Sequence, residues 1–130
     1  MSDVFQTHGA FSWCELQTDD DEKAKSFYSD VIGWETEAME MAEGGTYTVL
    51  KAGGEPVGGI LKRPPQMANL PQRWASYITV DDVDDRAKKA ADAGARVLAP
   101  PFDIPGVGRI ATLQDPMGAL ISFITYEKKD

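Results

Sequence analysis

The chain has 130 residues, of which 42% are hydrophobic and 26% charged, and it carries a formal net charge of −8 with a pI near 4.6. This length suits one domain with a single core, and the composition is that of a water-soluble globular protein. Such an acidic surface repels a phosphate backbone, and no run of lysine and arginine offsets it, so nucleic-acid binding is not expected.

The sequence carries no sign of export or membrane insertion. It has no apolar run of about 18 residues, and its opening, MSDVFQTHGA, lacks the basic and apolar segments of a signal peptide. The single cysteine, Cys14, cannot form a disulfide within the chain, which is typical of a reducing compartment. We therefore expect a cytoplasmic protein that does not contact membranes.

The first half of the chain predicts a strand, a helix and three strands in that order. Aromatic and β-favouring residues indicate a first strand at GAFSWCELQT. The segment DDDEKAKSFYSDVIGW has an acidic start, apolar residues at helical spacing and a glycine stop, which together indicate a helix. Three more strands are predicted at WETEAMEM, TYTVLKA and VGGILK, separated by glycine-rich turns.

The same order restarts after a proline-bearing linker at 63–73. WASYITV predicts a strand and DDVDDRAKKAADAG a helix with an acidic start and a glycine stop. Three strands follow at ARVLAPPFDI, RIATLQ and ALISFITY, and prolines interrupt the first of them.

Landmark residues recur at a nearly constant interval along the chain. The interval is 61 residues for the pairs Trp13 and Trp74, Asp20 and Asp81, and Gly33 and Gly94, and 60 for Pro56 and Pro116, and Gly58 and Gly118. This pattern predicts an internal duplication of a β-α-β-β-β unit, with repeats at about 9–62 and 74–126. One such unit leaves a face of its sheet open. We therefore expect an α+β domain in which two units form a half-barrel sheet around a cleft, with the helices outside.

Three segments resemble the vicinal oxygen chelate superfamily of glyoxalases, bleomycin-resistance proteins and extradiol dioxygenases. They are FYSDVIGWE (Phe27 to Glu35), YITVDDVDDRAKKAADAGARV (Tyr77 to Val97) and DPMGALISF (Asp115 to Phe123). With the duplication, the resemblance covers nearly the whole chain. It implies the half-barrel fold but not the reaction, because the family includes lyases, isomerases, dioxygenases and drug-sequestering proteins. It also suggests a homodimer, although one chain already holds both units.

The resemblance does not extend to the metal ligands. Metal-dependent members take two histidines and two carboxylates from the first and last strands of each unit. The corresponding positions here are Trp13, Lys62, Trp74 or Ala75, and Ser122. These side chains do not form a divalent-metal site, and the only histidine, His8, precedes the first ligand position. We interpret His8 as solvated or locally hydrogen-bonded and expect no metal and no other cofactor, while a site between chains that includes His8 stays open.

Alternation along the first strand places Trp13 and Glu15 on one side and Cys14 on the other. An aromatic ring beside a carboxylate suits a flat or apolar ligand with a polar handle, whereas Cys14 is expected in the core beneath the helix. The predicted ligand-binding residues are Trp13, Glu15, Lys62, Trp74, Tyr77 and Ser122. Packing explains Trp13 and Tyr77 equally well, and Lys62 is also explained as an ordinary solvated lysine. Ser122 has no obvious base to activate it as a nucleophile.

Two functions follow from these residues. The first, which we favour, is a metal-free protein that binds a small apolar or aromatic molecule in the cleft. The second is a lyase, isomerase or dioxygenase acting on a small carbonyl or aromatic substrate. In a metal-free enzyme, Glu15 is the candidate acid or base, and Lys62 or Tyr77 would stabilise an oxyanion. A third interpretation is a structural or regulatory subunit, which a closed cleft would favour. None of these residues has a chemistry selective enough to identify the ligand.

Overall fold

The computed structural model describes residues 3–41 and 44–128. Within them, eight strands and two helices form two compact units. The first unit is Trp13–Trp74, and the second comprises the residues up to Ser12 and those from Ala75 onward. The α+β class and the predicted order of strand, helix and three strands in each half are confirmed.

The first unit carries a four-stranded sheet and one helix. Its elements are β1 (Phe11–Thr18), α1 (Asp21–Val31), β2 (Glu35–Glu40), β3 (Thr46–Ala52) and β4 (Glu55–Lys62). The strand order is β2-β3-β4-β1, and β1 runs parallel to β4 whereas the other neighbours are antiparallel. After β4, a short 3₁₀ turn (Pro65–Met67) buries the side chain of Met67.

The second unit repeats this arrangement. Its elements are β5 (Arg73–Thr79), whose first two residues belong to the first unit, α2 (Val83–Asp92), β6 (Arg96–Ile104), β7 (Gly108–Gln114) and β8 (Leu120–Tyr126). The strand order is β5-β8-β7-β6, with β5 parallel to β8. The prolines of β6 do not end the strand; the register against β7 shifts between Val97 and Phe102 instead. Such an irregularity accommodates residues that have no N–H to donate.

Both helices are capped at their N-termini by an aspartate, and a glycine follows the C-terminus of each. Asp20 Oδ1 accepts from the Lys23 N–H at 3.0 Å, and Asp82 Oδ1 accepts from the Asp85 N–H at 3.1 Å. The interval of 61 residues had matched Asp20 with Asp81, but the residue that caps α2 is Asp82. The spacing of the two capping aspartates therefore differs by one residue from the repeat interval, because α1 has 11 residues and α2 has 10.

The two helices differ in how they pack. α2 buries Val83 and Ala87 in a cluster with Val80 and Ala111, against which Ile78 packs, so Val80 and Ile78 face this helix. None of the residues of α1, all of which the structure describes, is buried. Neither helix, nor any other among the described residues, is long and apolar enough to cross a membrane.

Candidate functional site

Strand register divides the sheet of the first unit into two faces. Glu15 lies opposite Gly59, and Thr18 lies opposite Lys62, in the parallel pair of β1 and β4. Because side chains alternate along a strand, Trp13 and Glu15 share one face, which we call the carboxylate face. Lys62 lies on the other face, where it lines a groove together with residues of α1. We call this second side the helix face.

A chain of hydrogen bonds runs along the carboxylate face. Trp13 Nε1 donates to Tyr47 Oη at 2.7 Å, and Tyr47 Oη donates to Glu15 Oε1 at 2.9 Å. Gln17 Nε2 donates to Glu15 Oε2 at 3.0 Å, and Arg73 Nη1 donates to Gln17 Oε1 at 2.7 Å. We call these five residues the polar network, and all of them belong to the first unit.

Burial is uneven along the polar network. Glu15 is 5% exposed and Gln17 is fully buried, whereas Trp13 and Tyr47 are half-buried. Buried carboxylates are rare unless their oxygens are hydrogen-bonded, and here both oxygens accept a bond from a neutral donor. The arrangement is therefore a buried hydrogen-bond acceptor with two partly exposed aromatic groups beside it.

Tyr47 reaches Glu15 because residue 59 is a glycine. A Cβ added at Gly59 would overlap both the hydroxyl and the ring of Tyr47. The second glycine of EPVGGILK thus leaves the space that the phenol occupies. The sequence patterns did not single out Tyr47. Alternation in TYTVLKA groups Tyr47 with Val49, but only the pairing of β3 with β4 shows that this group faces Glu15.

The structure brings together only part of the predicted ligand-binding set. Trp13 and Glu15 share the polar network. Lys62 and Trp74 lie on the opposite, helix face, so neither of them is beside Glu15. Trp74 donates from Nε1 to Tyr28 Oη at 3.1 Å and packs edge-on against the same ring. The expectation that Lys62 would stabilise an oxyanion next to Glu15 is therefore wrong.

The other two predicted residues lie in the second unit. Tyr77 and Ser122 are register partners in the parallel pair of β5 and β8, and both are buried. The hydroxyl of Ser122 shares a hydrogen bond of 2.8 Å with that of Thr112, which is also fully buried. The two hydroxyl groups thus satisfy each other's hydrogen bonding inside the unit.

Cys14 lies on the predicted face but is exposed, so its assignment to the core is wrong. It lines a depression of about 160 Å³ together with Trp34, Val57 and Trp74. The physical reason is that α1 packs loosely and buries none of its own residues, so it does not enclose Cys14 beneath it.

His8 is locally hydrogen-bonded, as predicted. Its Nδ1 accepts from the backbone N–H of Asp81 at 3.0 Å and lies 3.5 Å from the Asp81 carboxylate. The hydrogen bonds from the Arg86 guanidinium hold the pKa of Asp81 well below its usual range, so this carboxylate stays charged. These three side chains are all in the second unit.

The residues present do not fit the metal set of the metal-dependent relatives. Across residues 3–41 and 44–128, no three His, Cys, Asp or Glu side chains are grouped closely enough to hold a metal ion. The single histidine is engaged with Asp81, and both oxygens of Glu15 already accept hydrogen bonds. A lone carboxylate among indole, phenol and amide groups is a poor donor set for a divalent transition metal.

Comparison with known proteins decides the family. The sequence profile of the glyoxalase/bleomycin resistance protein/dioxygenase superfamily matches residues 10–123. The chain belongs to this superfamily. Its fold is also that of a methylmalonyl-CoA epimerase variant from Streptomyces coelicolor in complex with 2-nitronate-propionyl-CoA. That likeness has a TM-score of 0.61 at 20% identity, and it covers 94% of this chain and 100% of the other.

Two curated relatives of this superfamily member are considerably longer. CFP32 of Mycobacterium tuberculosis, whose assignment as a glyoxylase is provisional, is 47% identical over 116 residues, which are 89% of this chain and 44% of CFP32. The anthracycline biosynthesis protein DnrV of Streptomyces peucetius is 30% identical over 132 residues, covering 92% of this chain and 47% of DnrV. The chain thus spans less than half the length of these curated relatives.

Proposed function

We propose that this glyoxalase-superfamily protein binds a small apolar or aromatic molecule, without a metal, at the carboxylate face of the first unit. The observation that carries the proposal is the contact of Tyr47 with both Trp13 and Glu15, which places two partly exposed aromatic groups beside a buried carboxylate. Aromatic groups provide flat apolar contact area, and the carboxylate accepts a hydrogen bond. The expected ligand is therefore planar and carries a hydroxyl or amine donor.

Metal independence is part of the same proposal. The four positions that hold the metal in the metal-dependent branch carry no carboxylate and no imidazole in this sequence. Glu15, the carboxylate on the same face as Trp13, accepts from Tyr47 and Gln17 instead. Ligand recognition then rests on hydrogen bonding and aromatic contact rather than on coordination.

Titration with an anthracycline tests the binding proposal, because this probe is planar, carries phenolic hydroxyls and belongs to the compound class for which DnrV is named. The readout is tryptophan fluorescence, with calorimetry in parallel. Saturable quenching is expected in the natural protein and in Trp74→Phe, whose indole lies on the helix face. It is expected to be lost in Trp13→Phe. Equal quenching in both variants would place the ligand elsewhere, and no saturable binding would refute the proposal for this class.

A second candidate function is proton transfer next to a carbonyl group, with Glu15 as the acid or base. It is favoured by one observation, the 2.9 Å hydrogen bond from the Tyr47 hydroxyl to Glu15 Oε1, since a carboxylate and a phenol in contact can hold and pass a proton. Methylmalonyl-CoA is the first substrate to assay, because a fold neighbour is named for its epimerisation. Exchange of the substrate's acidic hydrogen with deuterated solvent is followed by NMR.

Glu15→Gln is expected to slow this exchange by about 10² to 10⁴-fold. Glu37→Gln is the matched control, since Glu37 is an exposed residue of the same unit and pairs only with Lys51 among its described contacts. Unchanged exchange in Glu15→Gln would exclude Glu15 as the base. Absence of exchange in the natural protein would leave binding as the function for this substrate.

Three further features complete the proposal: a homodimer, a cytoplasmic location and the absence of nucleic-acid partners. The homodimer follows from the family resemblance. Sedimentation velocity tests it directly, because a dimer has twice the 14.2 kDa of the chain.

A further inference from the structure

A separate groove lies on the helix face of the first unit, on the opposite side of the sheet from the polar network. It has a volume of about 440 Å³ and runs between α1, strands β2 and β3 with the described residues at their ends, and the end of β4. The lining residues that matter here are Asp21, Glu22, Lys25, Met41, Thr48 and Lys62. We call it the α1 groove.

Both signs of charge are available in the α1 groove. Asp21 and Glu22 lie in the first turn of α1, Lys25 follows one turn later, and Lys62 ends β4. None of these four groups forms an ion pair within 4.0 Å with any residue that the structure describes. By comparison, the nitrogen–oxygen distances of two ion pairs in the same unit, Arg63 with Asp19 and Lys51 with Glu37, are 2.6 and 3.0 Å. The described lining of the groove therefore presents two carboxylates and two ammonium groups that do not neutralise each other by contact.

Thr48 provides an independent sign of a ligand. The residue is only 3% exposed and lines the groove, yet its hydroxyl makes no hydrogen bond to any of the described residues. No fully enclosed side-chain polar atom of those residues lacks a partner, so the Thr48 hydroxyl keeps a small solvent-accessible area, and the groove is the open space that Thr48 lines. Hydroxyl groups in proteins are normally hydrogen-bonded, and a ligand atom in the groove would replace water as the partner of this one.

We propose that the α1 groove binds a small zwitterion, such as an apolar α-amino acid or a short peptide. The ligand ammonium faces Asp21 and Glu22, and its carboxylate faces Lys25 and Lys62. The Thr48 hydroxyl donates to a carboxylate oxygen of the ligand. An apolar side chain contacts Met41 at the edge of the groove. A ligand with one sign of charge only would leave the opposite pair of groups uncompensated.

The test is an NMR titration of the ¹⁵N-labelled chain with L-leucine and with glycyl-L-leucine. Saturable shifts are expected at the amides of Asp21, Thr48 and Lys62 for at least one of the two probes. Because exposed ion pairs are individually weak, the expected Kd is on the order of 1 mM. N-acetyl-leucine lacks the ammonium group and leucinamide lacks the carboxylate. Each of these analogues is expected to bind at least about tenfold more weakly.

Two variants connect the binding to the groove. Lys62→Gln removes an exposed ammonium with little effect on packing, and Thr48→Val removes the hydroxyl while keeping the shape of the side chain; each is expected to raise Kd about fivefold or more. Lys23→Gln, also on α1 but outside the groove lining, should leave Kd unchanged. The proposal is wrong if no amide shift saturates up to about 50 mM probe. It is also wrong if the blocked analogues bind as tightly as the zwitterions, or if Lys62→Gln leaves Kd unchanged. Because this groove and the polar network lie on opposite faces, either proposal can fail alone.

Discussion

Adding a methyl group at residue 59 tests whether Tyr47 needs the space that the glycine leaves. In Gly59→Ala the new Cβ would overlap Tyr47, so the phenol must move and Glu15 loses a hydrogen bond. We expect the free energy of unfolding to fall by about 1–3 kcal/mol, measured by urea denaturation. In a Tyr47→Ala background the same substitution should cost much less, because no phenol remains to be displaced. Equal costs in the two backgrounds would contradict this explanation.

The Tyr47 hydroxyl can be removed while its ring stays in place. Tyr47→Phe leaves Glu15 with one donor fewer and removes the acceptor of the Trp13 indole, so we expect a loss of about 1–3 kcal/mol in unfolding free energy. Tyr28→Phe is the control, since the Tyr28 hydroxyl also accepts from a tryptophan but at an exposed site. The control should lose less than about 1 kcal/mol. A loss at Tyr28 as large as that at Tyr47 would show that burial of Glu15 is not the cause.

The individual residues also show what the sequence could predict of the site. Alternation along β1 correctly grouped Trp13 with Glu15 and separated Cys14 from them, because this depends only on local strand geometry. The positions of Lys62 and Tyr47 depended on the register of β3, β4 and β1, which local geometry does not determine. The burial of Cys14 depended on how closely α1 packs, which is a tertiary property.

The two helices are expected to differ in local stability. α2 buries Val83 and Ala87, whereas α1 buries none of its residues and leaves Phe27 and Val31 more than half exposed. Segments with few buried apolar contacts open locally at low free-energy cost. Amide hydrogens of α1 should therefore exchange at least about tenfold faster than those of α2, as measured by hydrogen exchange with mass spectrometry. Equal protection would mean that another surface covers α1 in solution.

An ion-pair cluster joins α2 to the outer strands of the second unit. Arg109 donates from Nε and Nη2 to both carboxylate oxygens of Asp84, at 2.7 and 3.0 Å, and from Nη1 to Asp103 at 3.1 Å. The hydrogen bonds from Arg109 hold the pKa of Asp84 below its usual range. A carboxyl with a lower pKa in the folded state stabilises the fold above its unfolded pKa, and this contribution disappears as the pH falls through the folded value.

Asp84→Asn should therefore reduce stability at pH 7, and its difference from the natural protein should shrink as the pH falls below about 4. Urea denaturation from neutral pH to about pH 2 measures this trend. The matched control is Asp92→Asn, the same change at the end of α2, where the carboxylate has no ion-pair partner among the described residues. A destabilisation by Asp84→Asn that is constant with pH would rule out the ion pair as its source.

Whole elements were easier to predict than their ends or their packing. The strand at TYTVLKA and the order of all the elements followed from period-2 and helical patterns, which are local. The interval of 61 residues pairs Asp20 with Asp81, whereas Asp82 caps α2, because the two aspartates are adjacent and only the backbone conformation decides which of them is the cap. The prolines of β6 suggested a break, whereas pairing with β7 carries the strand past them.

For the molecule as a whole, the duplicated fold identifies the family but does not identify the chemistry. The two repeats share their element order, and residues 10–123 match the superfamily profile. The glycines, caps and apolar faces that specify such units are separate from the side chains at the metal positions, so a scaffold can persist while its site changes. This is why the fold could be predicted from the sequence, whereas the ligand and any reaction could not.

We propose that this superfamily member acts without the metal of its metal-dependent relatives, and a calorimetric metal titration decides whether it does. Protein purified without an affinity tag is titrated with zinc, nickel, manganese and, under anaerobic conditions, iron(II). We expect no stoichiometric binding with Kd below about 1 µM, because the ligand positions carry Trp13, Lys62 and Ser122 and the one histidine is engaged with Asp81. One metal ion bound tightly per chain would contradict the claim and restore a metal-dependent enzyme as the leading interpretation.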